Sequence, residues 1–321
     1  MNNRKNQTIE MLRFISCIMV VFIHCPFPGL FGTFVCTYGC YAVPFFLMLS
    51  GYFSFGDSRE HIKKKMKDTV RIITIYGSIC ILWNCVNSWL RDGSFVSWMV
   101  PYIDIKTFLR FVLFNRAVFI NSTFYYLFAL LYIYAFLVFM GTNLSHNNNL
   151  CYLFIGLYFV GYFLIHFAGK AWYYSGNFLF TGIPMLLIGR TLHQNAKIVC
   201  FVKGHEIWMV ILGVLLTYIE LVKLPSNEYT FIGQVLVAIS LLCYSINNAE
   251  KKFMSVIVKS GTYYSLYIMV FHCEIRDTLS IFWKNTTSAF FPIVVFSLSY
   301  LLAFVLFRIR MTIRQVTLQS R

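Results

Sequence analysis

The sequence predicts an all-α fold: a polytopic transmembrane bundle of about ten helices with both termini in the cytoplasm. Three observations carry that expectation. The 321 residues are 59% hydrophobic and only 12% charged, about half the charged share of an average soluble domain. The apolar residues gather into ten runs near 9–27, 36–55, 70–90, 123–141, 150–168, 176–189, 206–223, 229–247, 256–273 and 287–307, most of them near the roughly 20 residues that cross a hydrocarbon core. The basic residues lie in the short connections between the runs, with eighteen in one alternate set and eight in the other. That asymmetry puts the richer set inside.

Taken in order, the first run follows "MNNRKNQ" with no small-residue cleavage site and is read as a retained helix. The second contains Pro44, which frees a carbonyl and predicts a kink, and Ser50-Gly51, a pair that lets another backbone or a ligand approach. The third follows "SREHIKKKMKDTVR", six basic residues against Glu60 and Asp68. This stretch reads either as a topology anchor attracted to anionic headgroups or as a phosphate site. The connection 91–122 is not polar; Phe108, Phe111, Val112 and Phe119 predict an amphipathic or re-entrant piece at the outer surface. Trp98, Tyr102 and Phe119 offer sugar-stacking faces or interfacial anchors there. The sixth run is short and interrupted by Gly182 and Pro184, which predicts a kinked or incomplete span. No internal repeat and no long linker is visible, so 1–321 reads as a single integral membrane domain. The ten cysteines have no CxxC pair and no Cys/His metal spacing; they read as small apolar residues, and no metal is expected. A net charge of +15 spread over connections is a topology signal and excludes a nucleic-acid face.

The chemistry is concentrated in "IEMLRFISCIMVVFIHC", Ile9–Cys25. At about 100° per residue, Arg13 and His24 fall within about 20° of one face, roughly 16 Å apart along the axis. Glu10, Cys17 and Val20 share the stripe. Arg13 reads as a partner of Glu10 at i,i+3 that snorkels, or as the lower level of a cavity. His24 reads as a functional group, the default for an intramembrane histidine, or as a hydrogen-bonded structural one. His272 lies near the end of the ninth run, where a solvated interfacial histidine is the expectation and a second imidazole of the site the alternative.

These residues resemble the acyltransferase-3 family of integral membrane acyltransferases. The family's basic residue, ten positions, then His is matched by Arg13 and His24. Its "PFFxxxSGY" segment is matched by Pro44, Phe45, Phe46, Ser50, Gly51 and Tyr52, and its basic stretch before the third helix by Lys64, Lys67 and Arg71. Echoes follow in order: "YYLFALLYIY" from Tyr125, "FTGIPMLLIG" from Phe180 and "YSLYIMVFH" ending at His272. The chain departs from the family where Thr123 and Tyr125 replace His and Trp, and where a Lys-rich stretch broken by Asp68 replaces Arg-x-x-Arg. The resemblance implies transfer of an acyl group, acetyl foremost, from cytoplasmic acyl-CoA to a hydroxyl of an envelope glycan or related acceptor. It implies His24 as general base, Arg13 and Ser50 as further catalytic groups, and Lys64, Lys67 and Arg71 as donor-binding residues. The implied partners are the lipid bilayer, acyl-CoA as co-substrate (acetyl-CoA foremost) and the glycan, and the implied location is a bacterial inner or plasma membrane. A polytopic transporter or polysaccharide exporter is the rival from another class.

Overall fold

The computed structural model describes residues 6–117, 119–146, 148–168, 176–224 and 231–319. Arg4, Lys5, Lys170 and Arg321, all used in the charge asymmetry, lie outside them. Among the described residues the structure is helical, without a strand. Among the described residues, six helices are long and apolar enough to cross a membrane: Gln7–His24, Gly29–Tyr52, Arg59–Asp92, Phe124–Gly141, Asn148–Phe167 and Phe290–Gln315. A seventh candidate is the pair Ala196–Val202 and Glu206–Lys223, bent by 84°. The ten apolar runs are each helical through their centres, and those outside this set are short or interrupted. The chain divides into two units, residues 1–39 with 248–321, and residues 40–247.

In the first unit, α1 (Gln7–His24) is started by Asn6, whose side chain accepts from the Ile9 amide at 3.1 Å. It packs against α2 (Gly29–Gly39), a one-turn α12 (Ser255–Lys259), a π-helical turn (Ser260–Tyr264), α13 (Ser265–Phe282) and α14 (Phe290–Gln319). Gly261 allows the closest of these contacts, since a Cβ there would run into the backbone of Glu10. Thr8 donates to the Asn248 carbonyl at 2.7 Å, and Gln7 accepts from the Phe253 amide at 3.0 Å, tying the two parts of the unit together. The π turn interrupts the apolar run 256–273, and α13 continues nine residues past the end of that run. Residues at its end therefore become mid-helix residues.

In the second unit, the run 36–55 yields α3 (Ala42–Tyr52) with Pro44 in its first turn. The run is interrupted only at Cys40–Tyr41, between Gly39 and Ala42 and one turn before Pro44, where proline leaves the i−4 carbonyl without its helical partner. It is followed by α4 (Arg59–Asp92), α5 (Ile105–Phe114), α6 (Phe124–His146) and α7 (Asn148–Phe167). A π turn (Phe178–Gly182), α8 (Ile183–Gln194), α9 (Ala196–Val202), α10 (Glu206–Lys223) and α11 (Ile232–Asn247) complete the unit. α3 and α8 form its best-buried seam, with Phe45, Met48, Leu49, Met185, Leu186 and Leu187 almost wholly inaccessible. Where lipid surrounds the helices, this seam gains from close packing rather than from release of water. The amphipathic piece expected in 91–122 is α5. Asp104 caps it, accepting from the Thr107 hydroxyl and amide at 2.7 and 2.9 Å, and these bonds hold its carboxyl below the usual carboxylate range.

Candidate active site

The first unit places His24 at the last turn of α1. Pro26 and Pro28 follow it and prevent continuation of the helix. Arg276 of α13 donates from Nη1 to the His24 carbonyl at 2.8 Å, a cation on the negative end of α1, and its own guanidinium is held by Asp277 at 2.7 Å. The His24 ring is half-buried, and its centroid lies 5.3 Å from that of His272.

His272 is fully buried. This corrects the expectation of a solvated interfacial histidine: because α13 runs on to Phe282, His272 stands inside the helix and not at its end. Its Nδ1 lies 2.9 Å from the Ile268 carbonyl. A carbonyl only accepts, so Nδ1 carries the proton and Nε2 presents a lone pair. Nε2 is buried and has no hydrogen-bond partner among the described residues.

Cys273 joins the two imidazoles, the donor atoms of all three lying within 4.8 Å of one another. Two imidazoles and a thiol suit zinc or copper by type. Donors around a tetrahedral zinc with bonds of about 2.0–2.3 Å stand roughly 3.3–3.8 Å apart, so an ion here would need a tighter cluster.

Arg13 pairs with Glu10 at 3.3 Å, the i,i+3 contact expected from the sequence, and Glu10, Cys17 and Val20 of the same stripe are buried. Arg13 lies on the helix that carries His24, near its other end.

Ser50 belongs to the second unit. Its hydroxyl donates to the Phe46 carbonyl at 3.0 Å and also pairs with Tyr134. Gly51 beside it meets the backbone of Leu186 so closely that no Cβ fits, and Gly189 meets Met48 in the same way. The backbone approach foreseen at Ser50-Gly51 is thus made by α8.

Lys64, Lys67 and Arg71 are exposed on α4. Lys63 pairs with Glu60 at 2.8 Å and Lys65 with Asp57 at 2.7 Å. Beside this stretch a cavity of about 390 Å³ opens at the start of α4, lined among others by Phe55, Asp57, Arg59, Leu137 and Arg190. Arg190 is buried; it donates to the Ser54 carbonyl at 2.9 Å and its guanidinium carbon stands 5.7 Å from the Phe55 ring centroid. Asp57 also lies 3.0 Å from His61. With that carboxylate matched by Lys65, the two guanidinium groups leave the cavity fit for an anion.

Reading the sequence singled out neither Arg190 nor Arg276, which counted only as topology charges. For Arg276 a signal existed in its position four residues after His272, on the same helical face.

Among the described residues no disulfide joins the cysteines, Cys36 and Cys40 included. In comparisons with known proteins, the family model described as an acyltransferase domain matches residues 6–309. No curated protein and no solved structure matches the chain.

Proposed function

The chain belongs to the acyltransferase-3 family and is a multi-pass membrane acyltransferase, and we propose that it moves an acyl group, acetyl foremost, from acyl-CoA to a hydroxyl of an envelope glycan or related acceptor. The observation that carries this reading beyond the family is the close pair of imidazoles formed by half-buried His24 and fully buried His272. An alcohol is a weak nucleophile, and an imidazole in place to take its proton is the ordinary remedy. In the proposed reaction the acceptor hydroxyl gives its proton to His24 as its oxygen attacks the thioester carbonyl. Collapse of the tetrahedral intermediate expels the thiolate of coenzyme A, which recovers the proton from His24. The products are the ester and free coenzyme A. Arg13 serves the donor's side of α1, and Ser50 steadies the second unit through its contacts with Phe46 and Tyr134.

For the donor's phosphates the exposed Lys64, Lys67 and Arg71 supply long-range attraction, and Arg59 and Arg190 in the cavity supply close contact. In this reading both termini and the start of α4 face the cytoplasm, where acyl-CoA is found. Replacing Arg190 with glutamine is expected to raise KM for acetyl-CoA by about 10-fold, the loss of one charge-assisted hydrogen-bonding group. Reversing the charge of Lys64 and Lys67 together is expected to change KM less and to add salt dependence. Steady-state kinetics on both variants measures the difference; equal KM for Arg190→Gln and wild type would remove the cavity from donor binding.

The function itself is tested by comparing envelope glycans from cells with and without the protein by mass spectrometry, alongside transfer from labelled acetyl-CoA by purified protein. Loss of an acyl substituent with loss of the protein supports the enzyme. Flux of a glycan with no thioester turnover would replace it with the transporter.

A further inference from the structure

The His272 imidazole is built into the protein in a way that the reaction above does not use. Its position is secured by four contacts. Its Nδ1–H is committed to the Ile268 carbonyl at 2.9 Å. Its helix is bound to the end of α1 by the Arg276 bond to the His24 carbonyl at 2.8 Å. Lower down, α1 and α13 are joined by the Cys17 thiol on the Ser265 carbonyl at 3.5 Å. The π turn Ser260–Tyr264 that introduces α13 lies against α1 with Gly261 on the Glu10 backbone; such turns recur at functional sites. What remains is one lone pair, on Nε2, fully buried and without a partner among the described residues. An unused acceptor of this kind is costly in a low-dielectric interior and calls for a donor.

We infer that His272 is a positioning residue for His24: its Nε2 accepts a hydrogen bond from one His24 ring N–H, so that the opposite His24 nitrogen is the one that faces the acceptor hydroxyl. The inference rests on the proposed reading of His24 as general base. Rings 5.3 Å apart with donor atoms inside 4.8 Å need only a small rotation of the half-buried His24 side chain to form this bond. Before the reaction the bond selects the His24 tautomer. When His24 takes the acceptor's proton it becomes an imidazolium, and the bond to the neutral His272 strengthens, spreading the charge. The proton of His24 that faces His272 never leaves; the transferred proton arrives on the other nitrogen and departs with the thiolate. The Nδ1–H bond to Ile268 plays the part that a carbonyl plays behind a ligating or catalytic imidazole, making Nε2 a better acceptor. The titratable groups that interact with the pair are Arg276, with Asp277 held on it, and Cys273 and Cys25 beside that guanidinium. Glu274 is buried on the same helix, and α2 brings Cys36 to the carbonyls of Phe22 and Ile23.

The test uses the full chain in lipid and two substitutions. His272→Phe keeps the ring shape and deletes the acceptor; His272→Gln can place its carbonyl oxygen where Nε2 stands. Acetyl-CoA turnover by His272→Phe is expected to fall by about 10- to 100-fold in kcat with KM unchanged, and the acid limb of its pH–rate profile to move to lower pH. The sign follows because loss of the acceptor destabilises the protonated form of His24. His272→Gln is expected to recover most of both. Nitrogen-15 NMR of histidine-labelled protein supplies a readout that needs no activity: His272 should show a protonated Nδ1 and a hydrogen-bonded, unprotonated Nε2, and His24 should titrate at lower pH in the Phe variant. The inference is overturned by unchanged kcat in His272→Phe, by a Gln variant as slow as the Phe variant, or by an Nε2-protonated His272. Stoichiometric zinc or copper in the purified protein would also overturn it, since Nε2 would then be a ligand. If wild-type protein turns over no thioester while the NMR coupling is present, the acyl-transfer reading falls and the pairing of the two histidines stands.

Discussion

Replacing His24 with alanine is expected to lower acyl transfer by about 10²- to 10⁴-fold, the contribution typical of a positioned general base. The protein should insert and fold at the wild-type level, because α1 is held mainly by its backbone and by other side chains. Asn6 caps its start, Gly261 of the π turn meets the Glu10 backbone, and Arg276 bonds the carbonyl of residue 24 and not its ring. Those contacts survive truncation to a methyl group. The measurement is the rate of labelled acetyl transfer to acceptor at matched membrane expression, with KM determined separately. A loss confined to kcat identifies a group acting in the transition state; a loss confined to KM identifies a binding residue. Full activity in the alanine variant would end the assignment of His24 as base.

The second large effect is structural. Gly51→Val is expected to destabilise the protein by about 3 kcal/mol or more, at or above the upper end of ordinary overpacking. The reason is local. A side chain at position 51 meets the carbonyl of Leu186, and a backbone atom has no rotamer into which it can retreat. α3 and α8 would have to separate, and the seam of Met48, Leu49, Met185 and Leu187 would open with them. In the same helical fold Gly156 has no neighbour within 4 Å of its would-be Cβ, so Gly156→Ala should be neutral or stabilising by up to about 1 kcal/mol. Thermal unfolding in detergent, followed by a fluorescent thiol or intrinsic fluorescence, compares the two. Equal midpoints for Gly51→Val and wild type would show that α3 and α8 are not held in this contact. The prediction bears on the neighbouring Ser50 as well: it lies on the same helix as Gly51, so displacement of α3 carries Ser50 away from Tyr134 of α6.

Much of α1 was legible from its residues. The 100° periodicity placed Glu10, Cys17 and Val20 on one stripe, and the structure buries all three; the Arg13–Glu10 pair follows from their spacing alone. The amphipathic character of 91–122 was also legible, since Phe108, Phe111 and Val112 recur at helical spacing and α5 occupies that stretch. Other features were not. Pro44 signals an irregularity in its run, but the run gives no sign that the interruption is a two-residue break at Cys40–Tyr41. The π turns at Phe178–Gly182 and Ser260–Tyr264 each shift the helical register by a fraction of a turn. A periodicity summed over a whole run averages such a shift away. Arg190 looked like any basic residue flanking an apolar run, and only the cavity beside Phe55 and Asp57 distinguishes it.

The sequence by itself determined that this chain is a multi-pass helical membrane protein, that it belongs to the acyltransferase-3 family, and that Arg13 and His24 lie toward opposite ends of its first apolar run. These are local properties: hydropathy adds residue by residue, and a motif is read along the chain. Only the tertiary structure decided what stands beside His24. The Arg276 side chain that holds its carbonyl lies 252 positions away in sequence, and the buried His272 ring next to it looked from its run like a solvated group at a helix end. Such a pairing depends on how two helices pack and on the register that a π turn imposes between them, and neither is written in the composition or the period of either helix taken alone.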